Sequence, residues 1–121
     1  FYREVTKNLI GERVEKKVMG RGYPDSKNVK AGSQKIKFHL DYMDWLLDRR
    51  RWLAGDVMTL ADFSAAAQLS CLDYISDVDW NRSALVKDWY AKLKSRPAFR
   101  SLLADQLPGF PQPAHYADLD F

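Results

Sequence analysis

Apolar residues recur at helical spacing along most of this chain, and nowhere do they alternate in the two-residue rhythm of a strand. Val5, Leu9, Val14 and Val18, widened by Ile10, predict an amphipathic helix over residues 1–19, with Glu12, Arg13, Glu15, Lys16 and Lys17 mostly on the opposite face. Gly20, Gly22 and Pro24 end it, and Asp25 or Ser26 can cap the next helix. Residues 26–50 carry Val29, Ile36, Leu40, Met43 and Leu47 at steps of three and four, the seam of two helices packed antiparallel. Gly32 is tolerated there and permits close packing. His39 and Tyr42 flank the stripe, and Trp45 lies farther round.

The clearest helix start lies in the run WLAGDVMTLADFSAAAQLSCLDYI at 52–75. Gly55-Asp56 reads as a turn, after which Thr59 and Asp62 have the spacing of a capping box: the hydroxyl accepts from the N–H of Asp62 and the carboxylate reaches back to the N–H of Thr59. Met58 and Phe63 flank the box as a hydrophobic staple, and the negative charge of Asp62 suits the positive end of the helix dipole. Behind the cap, Leu60, Phe63, Ala67 and Tyr74 are expected to continue one face, and the small residues at 64–67 let neighbouring helices approach closely. This helix is expected at the centre of the fold.

Further on, Asn81 or Ser83 can cap a helix bearing Leu85, Val86, Trp89, Tyr90 and Leu93, and Pro97 opens a short one with Phe99, Leu102 and Leu103 buried. From 107 onward the composition changes. Pro108, Gly109, Pro111 and Pro113 forbid regular helix, so a helical body over 1–106 is expected to be followed by an extended Pro-rich tail over 107–121 that lies docked across it with its aromatic residues in grooves. The fold class is all-α.

With 121 residues, 46% of them hydrophobic and 29% charged, the chain is expected to form one soluble domain. No apolar run approaches a membrane span and no signal peptide is present, so a cytoplasmic protein is expected. The net charge of +3 is spread along helices without aromatic interleaving, which argues against nucleic acid. The Arg49-Arg50-Arg51 run is read as a C-terminal helix cap. Cys71, the single cysteine, excludes an internal disulfide and is expected as a small buried side chain. His39 and His115 are too far apart in sequence to indicate a metal, and neither a nucleophile elbow, a phosphate-binding glycine loop nor a Cys-His pair is evident. No catalytic residue, metal or cofactor site is therefore expected in this chain. Starting without Met and inside an amphipathic run, it is expected to be a piece of a longer protein.

WLAGD followed by TLADF resembles the core helix of the C-terminal domain of cytosolic glutathione S-transferases, and KSRPAF at 94–99 resembles the segment near the end of that domain. The resemblance covers nearly the whole chain and implies a helical bundle. It also implies an absent N-terminal thioredoxin-like domain that binds glutathione as co-substrate, and a homodimer. The helical half would then form the wall for the electrophile, with Tyr2, Thr6, Arg13 and Tyr116 as candidates. The same motifs, with KDWYAKLKSRPAFR and the ending HYADLDF, resemble a bacterial subgroup that includes a transferase-like cell-division protein binding the tubulin-like FtsZ filament. That implies a non-catalytic scaffold, with Leu119, Asp120 and Phe121 as a candidate contact.

Overall fold

The computed structural model describes residues 5–15, 25–104 and 110–119. The expectations for Tyr2, Val18, the stop at 20–24, Asp120 and Phe121 lie outside these residues. Helix α1 spans Lys7–Ile10 and continues with wider π-type bonding over Gly11–Glu15. Val5, Leu9 and Val14 are buried as their spacing requires. Glu12 departs from expectation: it is buried, and its carboxylate accepts from the Asp25 N–H at 2.8 Å and from Asn28 at 3.1 Å. This carboxylate thereby ties the end of α1 to the start of α2, an attachment that helical periodicity alone does not reveal.

Helix α2 spans Ser26–Arg49, N-capped by Asp25, which accepts from the Lys27 N–H. Its buried stripe is Gly32, Ile36, Leu40, Met43 and Leu47. A Cβ on Gly32 would lie 2.9 Å from Leu9 Cγ, so hydrogen at this position lets α1 and α2 touch. Arg49 Nη1 donates to the Trp45 carbonyl in the last turn. A tight turn follows, with Trp52 and Gly55 exchanging backbone bonds at 2.8 and 3.2 Å, and Gly55 occupies φ +155°.

Helix α3, Leu60–Tyr74, begins at the capping box. Thr59 Oγ1 accepts from the Ala61 N–H, and Asp62 Oδ2 accepts from the Thr59 N–H at 3.0 Å. Asp62 does more than cap. It is 0% exposed, and its Oδ1 also accepts from the Leu53 N–H at 3.0 Å and Trp89 Nε1 at 2.9 Å. Facing Asp62 inward fixes the phase of the helix: Ala66, Leu69, Ser70, Leu72 and Asp73 are buried. The expected face is therefore out of phase. Leu60, two residues from Asp62 and so about 200° round the axis, is 83% exposed, while Phe63, Ala67 and Tyr74 are half-buried. The same rotation turns Cys71 outward, and it is exposed instead of buried.

A 3₁₀ turn at Trp80–Arg82, capped by Asp79, leads into α4, Ala84–Lys94. Ser83 Oγ accepts from the Val86 N–H and donates to Asp44 of α2. Arg82 grips Asp41 of α2 with two bonds of 2.8 Å. Both partners of that pair are solvated, so it orients more than it stabilises. Helix α5, Pro97–Leu103, carries proline at its first position, where no N–H is missed, and buries Phe99 and Leu103. One core joins side chains of helices α1 to α5 with Tyr116 of the tail, and within it the Tyr90 ring lies 4.5 Å from Trp80 and 6.0 Å from Phe99.

Thr59→Ala should lower stability by about 1 kcal/mol, as loss of a cap does. Asp62→Ala strands buried donors from separate segments and should cost about 3 kcal/mol or more. Urea unfolding of both variants tests this: equal losses would reduce Asp62 to an ordinary cap.

Candidate functional site: an open cavity beside the tail

The last turn of α3 ends in a Schellman motif. The Ser76 N–H bonds the Asp73 carbonyl and the Asp77 N–H bonds the Leu72 carbonyl, both at 2.9 Å. The position that usually takes glycine is Ser76, held at φ +61°, a left-handed conformation that costs a side-chain-bearing residue roughly 1–2 kcal/mol. The reversal brings Asp77 to Arg13, which donates through Nη1 to Asp77 Oδ1. The two side chains differ in exposure, 38% for Arg13 against 11% for Asp77. Burial pushes the Asp77 carboxyl above its ordinary range, against the opposing pull of Arg13. Its Oδ2 is buried without a hydrogen-bond partner.

Residues 110–119 lie over this end of the molecule. Tyr74 Oη donates to the Phe110 carbonyl at 2.6 Å, and Gln112 Nε2 donates to the Leu103 carbonyl. Farther along, His115 Nε2 lies 2.9 Å from Oδ1 of Asp73, a carboxylate that is 0% exposed and also accepts from Trp80 Nε1 at 2.9 Å. Lys94, equally buried, donates from Nζ to the His115 carbonyl at 3.1 Å and lies 5.3 Å from the Tyr90 ring centre. Burial pulls the Lys94 ammonium below its usual range, opposed by the charges of Asp73 and Asp118. Burial, reinforced by Asp73, raises the Tyr90 phenol far above its usual range.

Between the docked segment and the end of α3 is a cavity of about 300 Å³, lined by Arg13, Tyr74, Ile75, Ser76, Phe110, Pro111 and Pro113. Of the residues expected to line a substrate wall, Arg13 is on its surface. Tyr116 is 5% exposed and sits behind it, edge-on to Tyr74 with ring centres 5.1 Å apart. Thr6 is elsewhere. Its hydroxyl donates to Gln68 at 3.1 Å, and Gln68 borders a different groove of about 430 Å³ between α2 and α3. Leu119 is half-buried against the core. Asp73, Asp77 and Lys94 escaped the sequence reading. An acid among apolar residues, on the same face as Asp62 about three turns on, was the available sign of Asp73; a buried lysine carries no such signature. Among the described residues no three His, Cys, Asp or Glu side chains converge on a cation position, and no helix is long and apolar enough to cross a membrane.

Residues 15–106 match the family model described as glutathione S-transferase, C-terminal domain, and the chain belongs to that family. Over all 121 residues it is 49% identical to FtsZ-localized protein A of Caulobacter vibrioides, of which it covers 53%. A crystal structure of a glutathione S-transferase from Rhodospirillum rubrum superposes with a TM-score of 0.95 at 50% identity, over 99% of this chain and 54% of that one. Glutathione S-transferase F9 of Arabidopsis thaliana is 31% identical over 90 residues, 69% of this chain and 40% of that protein. The chain thus spans about half the length of its nearly full-coverage relatives.

Ser76→Gly should raise stability by about 1 kcal/mol by relieving the left-handed conformation; an unchanged or lowered urea midpoint would mean the serine hydroxyl compensates for the strain. For Asp77, a folded-state carboxyl held above the unfolded value of 3.8 contributes stability below that value and loses it as pH rises through the folded one. Wild type should therefore lose ground to Asp77→Asn between about pH 3.5 and neutrality. Thermal midpoints of both proteins across that range test it, and the opposite slope would show that attraction to Arg13 outweighs burial.

Proposed function

We propose that this chain is the helical half of a transferase-like scaffold that works at the FtsZ filament of a bacterial cytoplasm. The observation that carries the reading is the identity of 49% across the whole chain, tail included, to a protein named for its localisation with FtsZ. The geometry is consistent with it: the docked segment brings residues 117–119 toward the surface, where Leu119 is partly exposed and Asp118 is exposed. Residues 119–121 are the proposed contact, an apolar and aromatic ending interleaved with acid that suits a mixed apolar and basic surface. The absent half is a thioredoxin-like domain, and the working protein is a homodimer.

A second reading is favoured by the cavity beside Arg13 and by the transferase relatives. There the helical half supplies an apolar wall for the electrophile while the absent half binds and activates glutathione.

Co-sedimentation with FtsZ filaments, using the full-length protein, tests the first reading. Deleting residues 118–121 should abolish most filament binding while lowering stability only modestly, because the bonds from Tyr74, Asp73 and Lys94 to residues 110–115 remain. Undiminished binding by the truncated protein would remove the tail from the contact. Retention on immobilised glutathione, with turnover of an electrophile, would move the second reading to first place.

A further inference from the structure

We propose that the cavity under the tail selects small aromatic carboxylates, the ring lying among Tyr74, Phe110 and the two prolines and the carboxylate meeting Arg13. The inference rests on the second reading above, in which the cavity takes small apolar molecules, and adds to it a required negative charge.

The charge argument comes from how the Arg13–Asp77 pair is arranged. Its cation lines the cavity and is well exposed, whereas its anion is mostly buried and absent from the lining. Among the described residues no acid lines the cavity, so a bound molecule meets a guanidinium with the balancing charge set back behind it. A guanidinium has five N–H donors, and the bond to Asp77 engages Nη1 alone, which leaves donors for a ligand oxygen. The same bond holds the side chain in one orientation, so less rotamer freedom is lost when a carboxylate arrives. Remaining polarity is small. The Tyr74 hydroxyl is already committed to the Phe110 carbonyl, Ser76 adds one neutral hydroxyl, and Ile75, Phe110, Pro111 and Pro113 present hydrocarbon. An apolar body with a single carboxylate matches this lining.

Three of the lining residues belong to the docked tail, so the cavity exists only while the tail is in place. A ligand that fills it must hold the tail down in proportion to its affinity. The backbone bonds from Tyr116 to Pro113 and from Asp118 to His115 report on that docking.

The test is calorimetric titration of the full-length protein with 3-phenylpropionate and with its neutral isostere 3-phenylpropanamide, together with hydrogen exchange at Tyr116 and Asp118. The carboxylate should bind about tenfold more tightly, the scale of one hydrogen bond to a charged group, and should slow exchange at both amides. Because Arg13→Gln alone strands a buried carboxylate, the informative variant is Arg13→Gln with Asp77→Asn, which removes both charges and keeps a neutral pair. In that variant, with its fold verified by thermal unfolding, the preference should vanish. Equal affinities for the two compounds in wild type would overturn the charge selection and leave the apolar wall standing. A preference that survives in the double variant would place the anion elsewhere and overturn the assignment. Binding of neither compound at millimolar concentration would overturn the wall and the selection together.

Discussion

A carboxylate buried without a cation beside it must be surrounded by donors, and Asp62 meets that demand by drawing on three segments at once. Its donors are the Thr59 N–H at the start of α3, the Leu53 N–H of the preceding turn and the Trp89 indole of α4. Since one side chain is common to all three, none can shift alone without stranding a buried charge, an error worth several kcal/mol. Asp73 does part of this at the other end of the helix: its Oδ1 accepts from the Trp80 indole and from His115, while its Oδ2 is buried without a partner. Helix α3 is thus held at both ends by Asp–Trp bonds across the core, and its rotation is set by these acids more than by its mostly small apolar residues.

That explains which parts of the fold could be read from residue order. Where apolar stripes dominate, as in α2 and α4, periodicity located most of the buried faces, Ile36, Leu40, Met43 and Leu47 in one and Val86, Trp89, Tyr90 and Leu93 in the other, while Val29 is half-buried and Leu85 is exposed. The capping box and its helix start were equally legible, because cap chemistry is local. Helix α3 was placed with the wrong phase. A rule that counts hydrophobic residues assigns Asp62 to solvent and Leu60 to the core, and the energetic demand of the buried carboxylate reverses both. Glu12 and Cys71 were misplaced for related reasons, one drawn inward by the Asp25 N–H and the other carried outward by the rotation of α3.

The cavity was barely legible. Arg13 stood out only through family resemblance, and its neighbours come from segments some sixty and a hundred residues away, such as Tyr74 and Phe110. Long-range convergence of this kind leaves no trace in spacing. Ser76 is the exception in principle, for a helix that ends in a Schellman turn without glycine carries local strain, and such strain concentrates where geometry serves something besides stability.

The strap formed by residues 110–119 also bears on how this protein comes into being on the ribosome. Asp73 and Lys94 are wholly buried in the finished fold, yet partners that both need reside on His115, which is translated after all the described helices. While the earlier helices emerge, at roughly 5–20 residues per second, the pocket that receives the histidine holds an anion and a cation with water as their available solvent. The nascent bundle can therefore collapse but not dry its interior at that end. Closure has to wait until residues 110–119 have left the ribosome, which makes their emergence, and not formation of any helix, the event that seals the core.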